Sequence, residues 1–259
     1  MRNILLELIL NHMSENSLYI KNYRHFKNQE IILYHHLGLG DMIICNGLVN
    51  KLSKNFKKIN LIVDKKFHKQ ADFLYGENPT VKIVSAPLDS ANTLHDFVEE
   101  FAKNNELKIL KIGWTNSGKP FYYDFYKLVK LPYRFSYKYF YFPKNEKLEN
   151  ELMEYLINYF KVDPTNYVLV HKDASNVSYD LKIKSKQIIY VDKETDIFNN
   201  IFLYSKLIKN ATEIHCVNSS FLHLVDRVDT NAKLIYHDVR GSIVKCKKKW
   251  NIKYYENKN

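Results

Sequence analysis

Cysteine is scarce in this sequence. Its three residues, Cys45, Cys216 and Cys246, lie far apart and form no C-x-x-C pair. That argues against a disulfide framework or a zinc knuckle and points to a reducing, cytoplasmic compartment. Long apolar runs are missing as well. The run over residues 4–10 is broken by Glu7, is too short to span a bilayer and has no small-residue cleavage site behind it. It reads as a helix packed on its domain, with an interfacial helix as the alternative. Acids fall short of bases: 28 Asp and Glu face 39 Lys and Arg, for a net charge of +11. Such an excess favours anionic partners, whether phosphates, nucleic acid or an acidic membrane surface. The abundance of Lys, Asn, Ile and Tyr offers a purely compositional origin for the same charge. With 259 residues, 46% of them hydrophobic, the chain can build one large domain or two small ones.

The stretch around which the rest is organised covers residues 31–46, IILYHHLGLGDMIICN. Ile31, Ile32, Leu33 and Tyr34 form an apolar run, Gly38 and Gly40 break it, and a helical pattern begins at Met42. This is the strand-turn-helix unit that opens an α/β domain, and ligands of such sheets bind at the carboxyl ends of the strands. His35, His36, Gly38, Gly40 and Asp41 therefore fall where chemistry is done. The glycine pair is incomplete as a dinucleotide fingerprint, since Ile43 holds the third position, although Asp64 closes the next strand about where a ribose-binding acid lies. Asp41 weighs against that reading, because a pyrophosphate and a carboxylate compete for one helix dipole. Two roles for Asp41 remain open: a cap on the helix from Met42, or a cap that is also a catalytic acid-base group.

Further along, helix 42–55, strand 59–63, helix 67–75, strand 81–85, a helix capped by Asp89 and Ser90, and strand 107–112 closed by Gly113 and Trp114 follow in order. The alternation predicts a parallel, doubly wound sheet over residues 25–115. Between 121 and 142 the pattern dissolves into aromatic and basic residues, read as packing between domains in preference to a base-stacking surface. An amphipathic helix follows Pro143, and from about residue 163 the period restarts with strands 167–171, 187–191, 213–217 and 233–236 and helices 197–210 and 220–228. The expected division is 1–142, a linker helix 143–163, and 164–259.

In the second series, residues 212–221 read TEIHCVNSSF. A buried strand runs into Asn218, Ser219 and Ser220 and then a helix carrying His223, which suits a diphosphate cradle and equally suits an ordinary helix cap. His171 and Lys172 end a neighbouring strand, and Asp192 ends the one after it, on the same expected edge. Lys172 supplies a point charge for phosphate.

The GLGD turn, the repeated α/β units and the NSSFLHLVD helix together resemble a small GT-B glycosyltransferase of the heptosyltransferase-like group. In that group a G-D turn opens the chain and a D-[ST]-G-x-x-H-L-A segment lies at the donor site. Here Asn218 replaces the acid, Ser220 the glycine and Val225 the alanine. The resemblance implies a GT-B-like α/β fold with two Rossmann-like domains facing each other across a cleft. The first would bind the acceptor, through His35, Gly38, Gly40 and Trp114. The second would bind the nucleotide-sugar, through His171, Lys172, Asp192, Asn218, Ser219, Ser220 and His223. It also places the general base at the turn, as Asp41; His35 or His36 would be its orienting partner or the substitute base. No D-x-D triplet occurs, which argues for metal-independent transfer to a glycan, lipid-linked or small-molecule hydroxyl, with no cofactor beyond the co-substrate. The competing readings are a nicotinamide-dependent oxidoreductase using the Gly38–Gly40 turn and a non-catalytic nucleic-acid-binding protein. The basic tail, with Trp250 inside a lysine run, is expected to fold back along the first domain or to approach an anionic membrane surface.

Overall fold

The computed structural model describes residues 18–35, 38–86, 91–113, 120–175, 177–241 and 244–255. The chain divides into two compact units, Met1–Phe142 and Pro143–Asn259.

The first unit holds β1 (Glu30–Tyr34), α1 (Leu39–Leu52), β2 (Lys58–Asp64), α2 (His68–Tyr75), β3 (Val81–Ala86), α3 (Ala91–Asn104) and β4 (Lys108–Lys111). Its four-stranded sheet has the order β3-β2-β1-β4, every pair parallel, with Ile31 opposite both Ile59 and Lys108. The central strands are apolar on both faces because both faces are covered, as parallel sheets require. Within β2 the buried exception is Asn60, whose amide donates to Glu30 Oε1 at 2.9 Å and to the Ile31 carbonyl. On one face Ile32, Tyr34, Ile62 and Ile109 pack with Val98 and Ala102 of α3. The caps expected at Asp89 and Ser90 lie outside the described residues, as does the run over residues 4–10.

Helix α1 is buried almost all round, from Met42 through Val49. Its outer side is covered by the aromatic stretch 121–142, which the expected division counts with the first domain. That stretch folds as α4 (Phe121–Leu128) and α5 (Phe135–Lys138) inside the first unit. Tyr126 and Ser136 both donate to the Ile44 carbonyl, at 2.8 and 3.0 Å, while Asn46 accepts the Tyr141 N–H at 2.9 Å. Gly47 is required at the crossing, since a Cβ there would meet the Phe135 carbonyl oxygen at 2.3 Å.

The second unit opens with α6 (Glu146–Phe160), capped by the Asn145 side chain and ended by Lys161 in the left-handed region. This helix, expected as a linker, packs within the unit against α7 (Ser205–Asn210) and β8 (Ile188–Tyr190). The five-stranded sheet has the order β11-β10-β9-β5-β8, all parallel, from β5 (Val168–His171), β8, β9 (Glu213–Val217), β10 (Lys233–Asp238) and β11 (Asn251–Tyr254). Numbered among themselves these strands run 5-4-3-1-2, the flavodoxin-like doubly wound order. A short hairpin, β6 (Asp173–Ala174) with β7 (Val177–Ser178), follows β5, and α8 (Ser220–Val225) follows β9. Among the described residues no helix is long and apolar enough to cross a membrane.

The basic tail corrects an expectation: it folds within the second unit and supplies the edge strand β11. Buried Asp226 anchors it, accepting from Lys247 N–H at 2.9 Å, Lys248 N–H at 3.0 Å and Trp250 Nε1–H at 3.2 Å. The Lys248 ammonium donates to the Val225 and Val228 carbonyls where α8 ends, a position that suits a cation. Asp226→Ala should lower stability by about 2 kcal/mol, below the sum of three charge-assisted bonds because the freed tail can reach water. It should also speed tryptic cleavage among Lys245–Lys249. Unchanged denaturation and proteolysis would show that β11 pairing alone holds the tail.

Candidate active site

In doubly wound sheets the ligand crevice lies at the strand ends where the winding direction reverses. In the first unit that point is between β1 and β4. β1 ends at Tyr34, whose ring lies 5.7 Å from the Lys111 ammonium at the end of β4. His35 follows and is only 1% exposed. His36 and Trp114 lie outside the described residues.

The helix after β1 starts three residues earlier than the pattern suggests. Gly38 is its N-cap, in an extended conformation, and Asp41 is the third residue of α1 and not a residue preceding it. Gly40 thus lies in the first turn. The Asp41 carboxylate reaches back to accept the Gly38 N–H, the second half of a capping box. It sits so close over the turn that a Cβ on Gly38 would meet Oδ2 at 3.0 Å. Burial pushes the Asp41 pKa up to about 6, and the Gly38 N–H offsets only part of the shift. The same geometry disfavours a dinucleotide, whose pyrophosphate would need the N–H that Asp41 occupies. Asp64 is also committed elsewhere, capping the turn Lys65–Phe67 through Lys66 N–H at 3.0 Å and pairing with the Lys66 ammonium at 2.6 Å.

In the second unit the reversal lies between β5 and β9, where His171 and Ser219 meet, while Lys172 and Asp192 lie on the β8 side of β5. His171 ends β5, opposite Cys216 on β9. Its Nδ1 lies 3.2 Å from Ser219 Oγ. Ser219 occupies the N-cap of α8, yet its hydroxyl makes no capping bond there, so it faces the neighbouring strand end in place of its own helix. The His171 ring stacks on Phe221 at 5.2 Å and 11°, and Tyr204 meets Phe221 edge-on at 5.8 Å. Although an edge stays exposed, desolvation pushes His171 down to about 4, with Asp173 and Asp192 pulling weakly the other way. It is a neutral imidazole at pH 7. Lys172 holds its ammonium 5.4 Å above the Tyr190 ring. Asp192 accepts from Thr195 N–H at 2.8 Å and Thr195 Oγ1–H at 2.7 Å, which fixes the loop after β8.

His171, Lys172, Asp192, Asn218, Ser219 and Ser220 thus share one sheet edge. His223 does not sit with them at the surface. It is buried within α8, and burial, with Arg227 beside it, pushes its pKa down to about 3. The Phe221–Tyr204 support under His171 and the Tyr190 ring under Lys172 were not anticipated. Phe221 stood in the apolar stripe of the helix, and nothing local marks one stripe residue as lying beneath a histidine from another strand. Among the described residues no group of three or more His, Cys, Asp or Glu side chains could hold a metal ion.

No family model matches the chain, and no curated protein matches it. Among solved structures, a glycosyl transferase family 9 protein from Veillonella parvula DSM 2008 is similar, with a TM-score of 0.49 and 9% sequence identity over 82% of this chain and 81% of that one. So remote a likeness leaves the chemistry to the residues themselves.

Proposed function

We propose that this chain is a glycosyltransferase of GT-B type, moving a sugar from a nucleotide-sugar to an acceptor hydroxyl without a metal ion. The observation that carries the reading is Asp41, a largely buried carboxylate with a pKa raised to about 6 at the switch point of a parallel sheet. A base with that pKa is ionised at pH 7 and still accepts a proton readily. As the acceptor oxygen attacks the anomeric carbon, Asp41 takes its proton and the bond from that carbon to the diphosphate oxygen breaks. The departing diphosphate carries the negative charge. Lys172 and the hydroxyls of Ser219 and Ser220 are the groups assigned to hold it, with neutral His171 fixing Ser219 from behind. Transfer by this route assigns the acceptor to the first unit and the donor to the second.

A thermal-shift panel of nucleoside diphosphates against nicotinamide dinucleotides tests the donor class, with stabilisation expected from one of the former and none of the latter. Ser219→Ala should weaken the stabilising nucleoside diphosphate by about 1–2 kcal/mol, the worth of a hydrogen bond to a charged group. If calorimetry on the folded variant gave wild-type affinity, the cradle would have to be sought elsewhere on the chain.

A further inference from the structure

Three ammonium groups converge on one side chain in the first unit. Lys51 in the last turn of α1, Lys54 in the turn that follows it, and Lys138 at the end of α5 hold their Nζ atoms 5.3, 5.6 and 5.6 Å from the centre of the Tyr139 ring. The three charges therefore stand within roughly a Debye length of one another and repel. Among the described residues none has a carboxylate within ion-pair distance, and none of the three ammonium groups donates to a carbonyl at the helix ends. The flanking segment deepens the imbalance, since Lys127, Lys130, Arg134 and Lys138 face a single carboxylate, Asp124, which is buried.

Beside this cluster Tyr141 is 60% exposed. It stands between Phe140 and Phe142, whose rings pack on each other at 5.6 Å. The backbone below is fixed, with Asn46 accepting the Tyr141 N–H and Asn50 donating to the Tyr139 carbonyl at 3.2 Å. Cations and aromatic rings are thus presented on a formed surface. We propose that this face of the first unit, Lys51, Lys54, Lys138, Tyr139 and Tyr141, docks on an anionic phospholipid membrane.

Two features favour lipid over nucleic acid. The Tyr139 ring is already taken by lysine heads, so it offers no free platform for a base. The cations at the centre are lysines, point charges that suit a phosphate layer and lack the fork that reads a base edge. An exposed tyrosine flanked by phenylalanines and lysine stems is the composition that settles at a membrane–water interface. The proposal is independent of the sugar-transfer reading.

The test is co-sedimentation of the full chain with phosphatidylcholine vesicles, with and without phosphatidylserine. Binding is expected only to the anionic vesicles and should weaken as salt rises. The Lys51→Ala/Lys54→Ala/Lys138→Ala variant should bind about a hundredfold more weakly, a factor of roughly five for each lysine. A charge-matched control, Lys193→Ala/Lys209→Ala/Lys249→Ala, removes exposed lysines of the second unit and should bind as wild type. Should the first triple variant melt early, Lys138→Glu alone, at an exposed position, should still lower binding at least fivefold. Three results would overturn the assignment: equal loss in the control, equal binding to neutral vesicles, or tighter binding to a single-stranded oligonucleotide that the same triple variant abolishes.

Discussion

Asp41→Asn is expected to abolish most sugar transfer while making the protein more stable. Asparagine keeps the shape and can still accept the Gly38 N–H, but it cannot take a proton from an attacking hydroxyl. The rate should fall by about 10²-fold or more with donor affinity unchanged. Stability moves the other way because the carboxylate is desolvated. Its pKa rises from 3.8 to about 6, so the folded state holds the proton more tightly than the unfolded chain. The ionised form therefore destabilises the fold, and the penalty grows as pH rises from 3.8 through 6. At pH 7 it reaches up to about 3 kcal/mol at 1.36 kcal/mol per unit, less what solvent at the exposed edge screens. Denaturant melts should show Asp41→Asn more stable than wild type by about 2 kcal/mol at pH 7, with the gap closing near pH 4. The wild-type kcat/KM should drop about tenfold per pH unit below 6. A variant with normal turnover would reduce Asp41 to a helix cap, and His36→Ala would then be the next test of the base.

Acid should unfold this protein well above the pH at which its surface carboxylates titrate. Three histidines carry depressed pKa values, buried His223 at about 3, buried His237 at about 4 and half-buried His171 at about 4, in each case chiefly because desolvation disfavours the charged form. His237 belongs to a hydrogen-bonded row across the second sheet. Glu213 Oε1 lies 2.5 Å from His215 Nε2, His215 Nδ1 lies 2.7 Å from His237 Nε2, and His237 Nδ1 lies 2.7 Å from the Tyr255 hydroxyl. With Glu213 ionised the row closes in one sense only. Tyr255 O–H donates to His237, His237 Nε2–H to His215, and His215 Nε2–H to Glu213, with both rings neutral. A proton added to His215 would force His237 into its other tautomer and reverse its hydrogen bond with the Tyr255 hydroxyl. Lys233 and Lys253 also face the pair and oppose its charging, while Glu213 favours it.

The sign follows from linkage. Because the folded pKa values lie below the unfolded value of 6.5, the unfolded chain binds these protons first. Stability is complete above pH 6.5 and is lost as pH falls toward 4. Each such histidine contributes a slope of up to about 1.4 kcal/mol per pH unit, and three together rival the 5–15 kcal/mol of a typical domain. Asp41 opposes the loss below pH 6, and Asp196, raised by burial too, acts in the same sense, while His215 adds a fourth depressed imidazole to the other side. Urea melts from pH 7.5 to 4.5 should show a steep decline, reduced by about one proton in His237→Gln. A flat profile over that window would mean that the histidines are hydrated or paired in ways the geometry does not show.

Much of the architecture was legible from periodicity because strands and helices are local features. Strand 213–217 matched residue for residue, and the other buried strands matched within two residues at either end. The start of α1 did not, because an extended Gly38 can cap a helix as readily as Asp41, and nothing local separates the two. The helix expected over 197–210 resolves into a tight turn, Ile201–Tyr204, and the six residues of α7. The two helices within residues 121–142 were not foreseen. Their pattern answers the shape of α1, an apolar helix that needs a cover, and that demand is made by residues more than seventy positions away.

The sequence by itself therefore settled the α/β class, the repeat of the strand-helix period, the GLGD and NSS turns, and the residues that fall at strand ends. Tertiary structure decided which strand ends become neighbours, since order within a sheet depends on pairings no local pattern encodes. It brought Ser219 to His171, gathered three lysines on Tyr139, and made the end of the tail an edge strand of the second sheet. It also set the chemistry of Asp41, because a carboxylate's pKa depends on the water that surrounding chain removes, and that burial exists only once the fold is complete.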